Sequence, residues 1–137
     1  VDVTAPKRRS AGAMVAITSI KRRSGGTWVE TLATPLVLSK SGDATGTSTT
    51  STIDSNAVTI TATGGSGAAK TYAWDFTSNP SGITALSPSS ASSAFRKTSA
   101  IIGSTHSATA RCTVSDGTYS ESILVAVELD RTGGGGL

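Results

Sequence analysis

A chain of 137 residues with 12 Lys and Arg, nine Asp and Glu, one His and one Cys has room for one domain of about 90 to 100 residues plus a shorter appendage, and not for two independent domains. A single cysteine rules out an internal disulfide, so packing alone must hold any core. Six aromatics, no Gln and about one Ser or Thr in every three residues favour short strands and polar turns over long helices, and no apolar run approaches the ~20 residues of a membrane-spanning helix.

Charge is unevenly spread: residues 1 to 40 hold seven Lys or Arg against two acids, and residues 41 to 137 hold five against seven. Two parts with different partners are expected. The start, Val1-Asp-Val-Thr-Ala-Pro6, lacks the charged and apolar regions of a secretory signal, although a mature form trimmed of one reads the same.

The front part contains a repeat. Lys7-Arg8-Arg9-Ser-Ala-Gly-Ala-Met-Val-Ala16 and Lys21-Arg22-Arg23-Ser-Gly-Gly-Thr-Trp28-Val29-Glu30 share six of ten residues at a period of 14. In each, a basic triplet precedes a run of β-formers, Met14 to Ile20 and then Thr27 to Leu32. Ser24-Gly-Gly26 supplies the positive φ a tight turn requires, and Trp28 is expected to fold back onto Ile17 or Ile20. A small β-hairpin or meander over residues 1–42 is the predicted product, and such a unit is marginal without a partner face. Its expected assembly contacts are Lys7, Arg8, Arg9, Lys21, Arg22, Arg23, Trp28, Val29, Leu36 and Leu38. The alternative lays Trp28, Val29 and Leu36 to Leu38 along the main domain's own edge as an extra strand.

Residues 43–56, nearly all small and polar, read as a Ser/Thr/Gly linker, and residues 131–137 as a Gly-rich tail, neither with regular structure. Between them, residues 57–130 carry strands at close spacing. Val58, Ile60 and Ala62 alternate with threonines, and Tyr72, Trp74 and Phe76 share a face after the Gly64 to Gly67 turn. Ile83 to Leu86 and Ala94 to Ile102 follow, the latter anchored by Phe95. Ala108, Ala110, Cys112 and Val114 share a face in the strand ending at Asp116-Gly117, and Ile123, Val125 and Val127 share one in the last strand. A Trp on one strand facing a Cys on a later strand, just before an Asp-Gly turn, is the core signature of an immunoglobulin-like, antiparallel β-sandwich. The expected core is Val58, Ile60, Tyr72, Trp74, Phe76, Phe95, Cys112, Val114 and Val125. One departure stands out: Ala110 occupies the place, two before the Cys, where such domains carry a Tyr.

Residues 57 to 128, with Thr-Ala-Thr-Gly-Gly-Ser-Gly (61 to 67), Thr-Tyr-Ala-Trp (71 to 74), Ser-Ser-Ala-Phe (92 to 95) and Ala-Arg-Cys-Thr-Val-Ser-Asp-Gly (110 to 117), resemble the Ig-like domains appended to tail and tail-tip proteins of tailed bacteriophages. Lys21 to Val29 is similar to short basic hairpins of small phage virion proteins. The resemblance implies a tail-associated structural component of the virion, with the Ig-like domain outward and the front segment built into a multimeric assembly of other virion proteins. Weak adhesion to host cell-surface glycans is a further expectation. A capsid decoration protein and a secreted or cell-surface carbohydrate-binding or adhesion module are the alternatives, and a detached accessory domain of an enzyme is a third.

Catalysis has little to work with. His106 is the sole histidine, in a predicted Gly-Ser-Thr-His-Ser turn, and no nucleophile elbow or metal-ligand spacing occurs, so neither an enzyme nor a cofactor is expected. Asp75, Asp116 and Glu121 form a calcium site only if their loops converge. The basic triplets invite a nucleic-acid reading, but without interleaved aromatics or a recognition helix an acidic protein surface is the preferred partner. For glycans, the loops at Ser78 to Gly82 and Gly103 to Ser107 are the candidate contacts, and Tyr119 is the aromatic expected outside the core.

Overall fold

The computed structural model describes residues 19–32 and 34–134, and among these there is no helix. The chain divides into two compact units, one ending at Thr34 and one beginning at Pro35.

In the first unit, β1 (Ser19–Ser24) pairs antiparallel with β2 (Thr27–Leu32). The connecting Gly25 and Gly26 have φ of 60° and 85°, both in the left-handed region that a two-residue hairpin turn of this type requires. Register counts back from that turn, so Arg23 faces Trp28, Arg22 faces Val29 and Lys21 faces Glu30. Two expectations change as a result. The second basic triplet lies within a strand; the cross-strand partner of Trp28 is Arg23, Ile20 pairs with Thr31, and Ile17 lies outside the described residues.

The second unit contains ten strands among the described residues: β3 (Thr34–Lys40), β4 (Ala44–Ser48), β5 (Ile53–Asp54), β6 (Val58–Gly65), β7 (Thr71–Ser78), β8 (Thr84–Ala85), β9 (Ser92–Ser93), β10 (Phe95–Lys97), β11 (Ser104–Ser115) and β12 (Ser120–Arg131). They form a four-stranded sheet, β4-β12-β11-β7, and two three-stranded sheets, β3-β6-β9 and β5-β10-β8. β11 and β12 pair over their whole length, from Ser104–Arg131 to Ser115–Ser120. Alternation explains the faces: in β11, Ala108, Ala110, Cys112 and Val114 are buried while their neighbours are half-buried, and in β12, Val125, Val127 and Leu129 are buried between exposed residues.

The two three-stranded sheets are built from consecutive stretches of the same two chain segments. β5 pairs with β10 (Asp54–Arg96) and β6 with β9 (Val58–Ser93), and the register slips by one residue between them. Ser55 carries the slip. Its amide donates to the Phe95 carbonyl (2.9 Å), and its hydroxyl accepts from the Phe95 amide (2.9 Å) while donating to the Asn56 carbonyl (2.7 Å). A nearly buried serine thereby pairs a backbone amide that the interruption would leave orphaned.

One hydrophobic cluster joins all three sheets, with Val58, Ile60, Trp74, Phe95, Cys112, Val114 and Val125 buried and Tyr72 and Phe76 half-buried against them. Phe95 is fully enclosed, with Trp74 and Phe76 set edge-on at centroid distances of 5.5 and 6.0 Å. Trp74 and Cys112 are cross-strand partners.

The stretch 43–56 is not a linker. β4 pairs in parallel with β12, Ala44 opposite Val127 through Ser48 opposite Arg131, and Ala44 and Ile53 are completely buried. Its small residues reflect tight packing: a Cβ on Gly46 would meet the Asp54 carbonyl oxygen at 2.3 Å and Leu129 at 3.0 Å. This parallel pair also departs from the expected all-antiparallel arrangement. The expected strand Ala94 to Ile102 ends at Lys97, because Ser99 turns the chain with φ of 54° and the buried Ala100 bonds back to the Ser51 carbonyl (2.9 Å). At the other end, the segment read as a tail begins inside β12 at Arg131, and the Thr132 amide still bonds to Ser48 (3.0 Å); residues 135–137 lie outside the described residues.

Candidate functional site

Of the predicted assembly contacts, Lys7, Arg8 and Arg9 lie outside the described residues. Lys21, Arg22 and Arg23 stand on β1, with Trp28 and Val29 opposite on β2. Leu36 and Leu38 do not belong with them. Both lie on β3 in the second unit, where Leu36 is 6% exposed within the core cluster and Leu38 packs against it. The reason is alternation: Leu36 and Leu38 face in, and Val37 between them is 55% exposed.

That strand lines a groove of about 340 Å³, between Leu36, Val37 and Leu38 on β3 and Glu121, Ser122 and Ile123 on β12. It exists because β4 pairs with β12 only from Val127 onward, so that among the described residues no strand pairs with the first half of β12 on that side. Each other edge of the four-stranded sheet is contacted at one residue. Asn56 covers β4, accepting the Thr45 amide on its side chain (2.7 Å) and giving its own amide to the Thr45 carbonyl (2.9 Å). Pro88 covers the middle of β7 by accepting the Trp74 amide (2.8 Å).

Three ion pairs lie on the surface of this unit among the described residues. Arg96 grips Asp54 with two parallel bonds of 2.6 and 2.7 Å, Arg111 grips Asp75 in the same way, and Lys40 pairs with Asp43. Each partner's hydrogen bonds hold its aspartate below the usual carboxylate range. No ion pair among the described residues involves Glu121, Glu128 or Asp130.

Asp116 has a structural task. Its carboxylate accepts the amides of Tyr119 (2.8 Å), Ser66 (2.6 Å) and Thr118 (3.0 Å), tying the β11–β12 turn to the loop after β6. Gly65 permits that approach: its φ is 81°, and a Cβ there would meet Asp116 Oδ2 at 2.2 Å. The Tyr119 amide, followed by that of Ser66, holds the Asp116 carboxyl well below its ordinary value, outweighing burial. A lowered folded-state value means the stabilisation is fully present above the unfolded value of about 3.9 and is lost as pH falls through the lowered one. Asp116→Asn is therefore expected to lower Tm at pH 7 by roughly 5–10 °C. In thermal melts followed by circular dichroism, the gap to the parent should narrow as pH falls below about 4. A gap that is absent at pH 7, or constant down to pH 2, would contradict this role.

The calcium constellation that converging loops would form is not assembled among the described residues. Asp75 is held by Arg111 and Asp116 by backbone amides, and no three His, Cys, Asp or Glu side chains among the described residues gather to hold a metal ion. His106 lies within β11 opposite Leu129, half-buried, and accepts from the Ile101 amide (3.4 Å); the expected turn is one step earlier, at Ile101 to Gly103. Burial pushes the Cys112 thiol up to about 11, so it is an apolar filler at physiological pH. Tyr119 packs against the core cluster, which removes the aromatic platform expected for glycan stacking, and Gly103 to Ser107 is mostly strand.

Sequence reasoning missed the Ser66–Asp116 clamp, because its partners are 50 residues apart, and missed the groove, because β3 was assigned to the other unit. The pairing of an Asp-Gly turn with a second Gly-rich turn was the only signal for the former. Comparison of the chain with protein-family models, curated proteins and solved structures finds no match.

Proposed function

We propose that this chain is a non-enzymatic structural component of a tailed-phage virion, associated with the tail, whose first ~34 residues anchor it among neighbouring virion proteins while an Ig-like β-sandwich faces outward. The observation that carries the reading is the division at Thr34 and Pro35. On one side stands a two-stranded basic hairpin, too small to be stable without a partner face. On the other stands an all-β unit with its own enclosed core. The sandwich reading is supported by the order β4-β12-β11-β7, with Trp74 beside Cys112 on adjacent strands, and by a core shared with the β3-β6-β9 and β5-β10-β8 ladders. The phage assignment itself rests on the sequence resemblance.

Quantitative mass spectrometry of density-purified virus particles from the source culture tests this. A fixed copy number matching tail symmetry is expected, capsid stoichiometry would reassign the chain to decoration of the head, and absence from the particles would overturn the proposal.

A further inference from the structure

We infer that the groove between β3 and β12 is a strand-docking site that takes an extended basic segment of a partner protein. This does not depend on the virion reading. The backbone supplies the first argument. The Ala126 amide points away from β11 and is taken by Asp43 Oδ1 (3.2 Å). Backbone polar groups alternate along a strand, so those of Ser122 and Leu124 point to the same side, where β4 has not yet begun. Among the described residues no strand pairs with them there, so they form an open template beside the groove, whereas Asn56 bonds Thr45 on the β4 edge and Pro88 accepts the Trp74 amide on the β7 edge.

Side chains supply the second argument. Leu36, Leu38 and Ile123 give the groove an apolar wall, suited to one side chain of an incoming strand. Glu121 at its rim has no ion-pair partner among the described residues, while the nearest cation on β3, Lys40, is held by Asp43. The complement is an extended chain that carries a Lys or Arg two residues from an apolar side chain, on the same face, as Glu121 stands two residues from Ile123, with its backbone bonded to Ser122 and Leu124.

The test uses the full-length 15N-labelled chain and a synthetic octapeptide, Thr-Lys-Thr-Val-Thr-Lys-Thr-Val, whose Lys and Val share one face, with amide exchange read by NMR. The Ser122 and Leu124 amides should exchange freely without peptide and gain at least about tenfold protection with it. The same peptide with Glu for Lys should give none, and Glu121→Lys should reverse that preference without moving Tm. Leu124→Pro, which removes one edge amide, should abolish protection at Ser122. Protection of both amides in the free chain at low concentration would overturn the inference, as would shifts mapping away from β3 and β12. Protection that rises with protein concentration alone would identify a second copy as the occupant and overturn the basic-partner assignment.

Discussion

Replacing Phe95 with alanine should lower the Tm of the 35–134 unit by roughly 20 °C. The ring is completely enclosed and meets Trp74 and Phe76 edge-on, at the point where the ladders β5-β10 and β6-β9 slip past one another. Truncating a buried Phe to Ala costs about 3–5 kcal/mol, because the lost transfer energy is joined by that of the cavity left behind. For a domain of this size each kcal/mol is worth about 4–8 °C. Phe95→Leu, which keeps most of the volume, should cost less than half as much. Differential scanning calorimetry separates the cases, and a fall under about 5 °C for the alanine variant would mean that Phe95 is not the centre of the core.

The second large effect is expected at Gly46. A valine there would drive its Cβ into the Asp54 carbonyl oxygen and crowd Leu129, and neither is the free end of a flexible side chain on the surface. Overpacking of this kind costs about 1–3 kcal/mol or more, since backbone must move to relieve it. Thr47→Val, one residue on and exposed, should stay within about 0.5 kcal/mol. Urea denaturation of both variants measures the contrast. Equal stabilities would mean that residues 44–48 behave as a linker after all.

That contrast also marks what the sequence could reveal. β6, β7, β11 and β12 were legible because apolar residues alternate with Thr, Ser and charges, so burial follows a period of two. The hairpin turn was legible because Gly25 and Gly26 supply positive φ where few residues can. β4 and β5 were hidden. Close packing selected Ala44 and Gly46 at the inward positions, and small residues in a polar stretch look like a linker whether or not they are enclosed. Leu36 was visible as an apolar anchor, but whether it would face its own unit or a neighbour depended on pairing with β6, more than 20 residues away. The groove was illegible for the same reason: its walls come from residues some 85 positions apart, and its open edge follows from β4 pairing with β12 only from Val127 onward. Function was the least legible level, since the reading rests on turn and core motifs that many unrelated sandwiches share.

The account stands most directly on one division: a self-sufficient unit from Pro35 onward, preceded by a segment that needs a partner. Limited trypsin digestion of the free full-length chain, with fragments weighed by mass spectrometry, tests it. Cleavage should be rapid at Lys21, Arg22 and Arg23 and leave a resistant fragment that retains Lys40, Lys70, Arg96, Lys97 and Arg111. Protection of the hairpin equal to that of Arg111 would contradict the need for a partner, and early cleavage at Lys40 or Lys70 would contradict the integrity of the unit itself.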